Sequence, residues 1–80
     1  MTNEDRLHAV RWAALTRLEL NKGDKWVRRR DQLAIEMIDR ELEMGIMGYS
    51  IRSAEALALD WDMEVAFERI AETPAEEDQA

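Results

Sequence analysis

Glycine is confined to positions 23, 45 and 48, and Pro74 is the one proline. Between them lie long stretches rich in Ala, Leu, Glu, Arg and Met, all good helix formers, with almost no strand character. A chain punctuated so sparsely has few ways to fold. It is expected to be all-α, with its turns at the glycines.

The first stretch predicts a helix over about residues 4–21. Thr2 or Asn3 caps it, and Glu4 and Asp5 suit the positive end of its dipole. At about 100° per residue, Leu7, Val10, Ala14 and Leu18 share one face, with Leu15 at its edge. Ala9, Trp12, Ala13, Thr16 and Leu20 form a second side that is also apolar. A helix with two apolar sides is usually covered twice, by its own chain and by something else. "NKGD" then ends this helix, with Gly23 in the left-handed position after its last turn, and starts the next, with Asp24 as cap. So short a loop makes the two helices antiparallel neighbours.

The second helix is expected over about 25–44, ending at Gly45. It carries two apolar ridges. Trp26, Leu33, Met37 and Met44 make one; Val27, Ala34, Ile35, Ile38 and Leu42 make the other. Two ridges need two neighbours, so this helix is central. "GIMGYS" follows as a connector whose Ile46, Met47 and Tyr49 are either tucked under the domain or offered to a partner.

The third stretch holds a conflict. Ser53 is a good cap, and Ala54, Leu57, Ala58 and Trp61 share a face. Met63, Ala66, Phe67, Ile70 and Ala71 share another face, rotated by roughly half a turn. One straight helix cannot bury both against one core. A break at Asp60-Trp61-Asp62 is therefore expected, giving helices over about 54–60 and 62–72. The alternative is one straight helix whose halves meet different neighbours, as in a dimer. The expectation is a small bundle of three to four helices in a single domain, residues 1–73. Pro74 ends it and leaves an acidic, disordered tail, 74–80.

Eighty residues support one modest core. With no cysteine, neither a disulfide nor a thiolate zinc site can reinforce it. Helix packing or oligomerisation must do so, and a homodimer is expected. The absence of cysteine fits the cytoplasm, and no apolar run approaches the length of a membrane span.

Catalytic chemistry is thin. His8 is the one histidine and lies at the border of a polar face. No glycine loop could cradle a phosphate. "DWDME" spaces Asp60, Asp62 and Glu64 like the opening of a calcium loop, but Val65 and Ala71 stand where such a loop needs glycine and glutamate. No enzyme, cofactor or metal site is expected.

Charge is more informative. The net charge is −7, yet residues 1–30 hold eight basic and four acidic side chains, against three and fourteen in residues 31–80. "KWVRRRDQ", residues 25–32, concentrates the basic excess. On a helix, consecutive Arg28, Arg29 and Arg30 fan out and form no single stripe. Arg28 has Asp24 and Asp31 as intrahelical partners. Arg30 points between the two ridges, one turn after Trp26. It must snorkel, stack on an aromatic ring, or meet an acid from a neighbouring helix or subunit. Trp12 also lies off the main face of its helix. Tryptophan and arginine are favoured at interface centres, so Trp12, Trp26, Arg30 and Tyr49 form a candidate protein-binding set.

Residues 53–72, with apolar Leu57-Ala58, Trp61 and Met63, resemble a helix-turn-helix module. Asp62 stands where that family keeps a small residue, and Glu68 where it keeps an apolar one. The implied recognition helix would expose Glu64, Glu68 and Glu72, with Arg69 its one base, and phosphate would repel it. These glutamates suit a basic protein surface better. In type and composition the chain resembles the short, acidic, cysteine-free inhibitor proteins carried by phages, anti-CRISPR proteins among them. That resemblance implies a non-enzymatic regulator or inhibitor that occludes a partner protein. The alternatives are a helix-turn-helix regulator holding phosphate with Lys22, Lys25, Arg28 and Arg29, and a structural dimer or assembly subunit.

Overall fold

The structure, a computed structural model, describes residues 1–72. It contains α1 (Asn3–Leu20), α2 (Lys25–Ile46) and α3 (Ala54–Glu72), and no strand among the described residues. Residues 74–80, the expected tail, lie outside the described residues.

Each helix starts where its cap lies in the sequence. Thr2 Oγ1 accepts from the Asp5 amide at 3.1 Å, and the Asp5 carboxylate accepts from the Thr2 amide at 3.3 Å. Asp24 Oδ1 accepts from the amides of Trp26 and Val27, both at 3.0 Å. Ser53 Oγ accepts from the Ala56 amide at 3.2 Å.

The turns correct two expectations. Gly23 does not close α1 in the left-handed conformation; Asn21 ends it at φ −108°, donating its amide to the Arg17 carbonyl at 2.8 Å. Nor does Gly45 stop α2, which runs through it to Ile46. Gly45 serves close approach instead, because a Cβ there would sit 2.5 Å from Cγ1 of Ile51. Gly48, at φ 96°, is the left-handed residue that turns the chain.

The expected break at Asp60-Trp61-Asp62 is absent, and α3 is one continuous helix. Asp60 and Asp62 cap nothing. Their carboxylates hold Arg52 Nη1 at 2.9 Å and Arg30 Nε at 2.7 Å. The face turned toward α2 changes character along its length. It begins as Ala54, Leu57 and Trp61, passes through half-buried Val65, and ends as Glu68 and Glu72. Ion pairs replace apolar contact over the last two turns. The helix can therefore stay straight while its second apolar stripe faces solvent.

The core joins Leu7 and Ala14 of α1, Leu33, Ala34 and Ile38 of α2, and Ala54, Leu57 and Trp61 of α3. Helix α2 is central, as its two ridges predict. The flanking helices touch each other little. An ion pair of Arg6 with Glu55 joins them, and Asn3 Nδ2 of α1 donates to the Ile51 carbonyl of the connector at 3.4 Å. No helix among the described residues is long and apolar enough to cross a membrane.

Two carboxylates of α2 are buried in this core. Asp31 is fully buried and accepts from Arg17 of α1, Nη2 at 2.9 Å and Nε at 3.1 Å. Glu41 is nearly as buried, and accepts from the Arg52 amide at 2.6 Å and from its Nε at 3.2 Å. Val27, Asp31, Ala34, Ile38 and Glu41 repeat at alternating spacings of four and three, so both acids stand in the packed seam of α2. Each binds one neighbouring segment to the central helix.

Candidate functional site

The basic stretch at the start of α2 is largely engaged within the chain. Lys25 Nζ meets Glu72 at 2.5 Å and also lies 4.9 Å from the centre of the Trp26 ring. Arg29 Nε meets Glu68 at 2.8 Å. That hydrogen bond raises the affinity of the guanidinium for its proton. Arg30 Nε meets Asp62 at 2.7 Å, with its guanidinium 5.9 Å from the Trp61 ring centre. The expectation for Arg30, an aromatic ring or an acid from a neighbouring helix, is met on both counts.

Arg28 differs from its expectation. Asp24 is occupied as a cap and Asp31 is held by Arg17. Arg28 Nη1 instead donates to the Leu18 carbonyl at 2.8 Å, placing a cation at the negative end of α1. Lys22, Lys25, Arg28 and Arg29 line a cleft of about 520 Å³, which Glu68 and Glu72 enter from α3. Carboxylates already stand where a phosphate would have to bind.

Of the candidate binding residues, Trp26, Glu68 and Glu72 share the cleft just described, and the others are spread over the surface. Trp12 is 72% exposed, on the side of α1 turned away from α2. With Leu15, Thr16, Glu19 and Leu20 it lines a shallow groove of about 300 Å³. Thr16 donates its hydroxyl to the Trp12 carbonyl at 3.0 Å, so this polar group of the face is already satisfied. Trp26 and Arg30 meet in a second groove, about 370 Å³, between α2 and α3. Tyr49 is 65% exposed beyond the far end of α2. A helix of 22 residues puts it roughly 33 Å from Trp26 at about 1.5 Å per residue. Glu64 is exposed on α3, whereas Glu68 and Glu72 turn inward to Arg29 and Lys25.

One surface was not among the candidates. Leu59, Met63, Phe67 and Ile70 of α3 are each more than half exposed. They form an apolar stripe on the outer side of α3, flanked by Ala66 at the edge of the α2–α3 groove. The sequence carried its signal in the half-turn rotation between the two stripes of this segment. Together with the Trp12 face, it leaves both flanking helices apolar on their outer sides.

Comparison of the chain with family models, with curated proteins and with solved structures gave no match in any of the three.

Proposed function

We propose that this protein works by binding another protein and occluding it, with no chemistry of its own. The observation that carries this reading is Trp12. A large aromatic side chain is held 72% exposed on α1, with Leu15 and Leu20 beside it in a shallow groove. Buried tryptophan anchors dominate interface energies, and a rigid helix presents one at little entropic cost. The net charge of −7 favours a partner with a basic surface, because complementary fields speed encounter. The reading is a small cytoplasmic regulator or inhibitor of the kind phages encode. Its working unit is a homodimer, since one chain leaves two outer faces uncovered.

The test is capture of a partner from the source organism's lysate by the wild-type chain and by Trp12→Ala. Loss of a central anchor is expected to weaken binding by roughly 30-fold or more, with helicity unchanged. Capture that survives Trp12→Ala overturns the assignment of this face. A steeply salt-dependent shift of duplex DNA would favour the nucleic-acid alternative. That alternative requires Lys25 and Arg29 to release Glu72 and Glu68.

A further inference from the structure

We propose that the acidic segment of Glu76, Glu77 and Asp78 docks on its own chain, in the open part of the basic cleft, and closes that cleft to outside polyanions. The proposal is independent of the partner-binding reading above.

The first ground is charge. The cleft between the α1–α2 turn and the end of α3 is lined by four cations, Lys22, Lys25, Arg28 and Arg29, against the two carboxylates of Glu68 and Glu72. Those carboxylates hold Arg29 and Lys25. Among the described residues no carboxylate pairs with Lys22 or Arg28; Arg28 donates to the neutral Leu18 carbonyl, and Lys22 is exposed. The cleft thus keeps a positive excess in a chain of net charge −7. Its resident ligands already show what it takes, which is a carboxylate.

The second ground is register. The end of α3 runs antiparallel to the start of α2, with Glu68 opposite Arg29. Four residues on along α3, Glu72 stands opposite Lys25, four residues back along α2. One further step leads to Lys22 on one side, three residues before Lys25, and to Glu76 on the other, four residues after Glu72. Four residues span up to ~14 Å, and the three from Lys25 back to Lys22 up to ~11 Å, so residue 76 comes within reach of Lys22 with α3 unmoved. Glu77 and Asp78 follow at once, beside Arg28 on the same wall of the cleft.

The third ground is linkage. Glu72 ends α3 inside the cleft, so the segment starts within the site that it is to fill. Attachment over so few residues puts its carboxylates at a local concentration of about millimolar or more. Solvated ion pairs that are weak one by one then hold together, and an outside anion must displace them.

A zero-length carbodiimide, which joins an amine to a carboxylate only in direct contact, tests the docking on the full chain. Lys25 and Glu72, 2.5 Å apart, serve as the internal control. Lys22 is expected to couple to residues 76–78 at low salt, with the yield falling several-fold at roughly 0.5 M. In an equal mixture of isotope-labelled and unlabelled chains, that product should contain no mixed pairs. Coupling of Lys25 to Glu72 with none from Lys22 overturns the docking, and mixed pairs place the segment on another copy and overturn it as well. The shielding is tested by binding of a short DNA duplex at low salt. Glu76→Gln with Glu77→Gln should bind at least several-fold more tightly than Glu4→Gln with Glu43→Gln, a variant of the same net charge altered at two exposed acids of the opposite pole. Equal binding by the two variants overturns the shielding.

Discussion

Asp31 and Arg17 form an asymmetric pair. The side chain of Asp31 is 1% exposed and that of Arg17 is 42% exposed. Removing the cation strands a buried carboxylate, whereas removing the carboxylate leaves a cation that can turn to water. Arg17→Met is therefore expected to cost about 3 kcal/mol and Asp31→Ala only about 1 kcal/mol, measured by urea unfolding at neutral pH. Equal losses would mean that Arg30, 3.7 Å from Asp31, takes over as its partner. Caps and turns show how far single residues were legible. Thr2, Asp24 and Ser53 work through amides two or three positions away, so their role is written locally. Asp31 and Glu41 were legible only through their place in the seam of α2, which composition obscures because acids are normally counted to the polar face. The role of Gly45 was not legible, because it depends on where the connector returns Ile51.

Among the elements, α3 departs most from expectation, and its two halves are held by different forces. Its first half is anchored by Leu57 and Trp61 in the core. Beyond Val65 it is tied to α2 by Glu68–Arg29 and Glu72–Lys25, pairs that are partly solvated and worth little apiece. Salt screens such pairs and leaves burial untouched. Amide exchange over residues 66–72 is expected to quicken several-fold on raising salt from low to roughly 0.5 M, while residues 54–61 hold their rate. A uniform response along α3 would contradict this division. The conflict between the two stripes was readable in the sequence, but its resolution was not. A break is required only if both stripes need burial. The structure buries one and leaves the other open, which depends on Arg29 and Lys25 arriving opposite Glu68 and Glu72.

At the scale of the whole molecule, the all-α architecture and the central place of α2 followed from sparse punctuation and a double ridge. What covers the outer faces did not, since a single chain cannot specify its neighbours. The flanking helices meet weakly, and Glu55 with Arg6 is one of their few ties. The Glu55 carboxyl is held below its ordinary value, first by its own backbone amide at the start of α3 and then by Arg6. A carboxyl depressed in the folded state stabilises above its unfolded value, and that contribution is lost as pH falls through the depressed one. Glu55→Gln should therefore be less stable than wild type at neutral pH, with the gap closing in acid below the ordinary glutamate range. Thermal melts across that interval would show it; a gap that persists in acid would point to lost packing rather than lost charge. The up-down-up order has one more consequence, a mechanical one. The first residue of α1 and the last of α3 lie at opposite poles, so tension applied between them slides the flanking helices lengthwise past α2 in opposite directions. The seam contacts and the cross-helix ion pairs then bear the load together, in shear, instead of peeling apart one turn at a time.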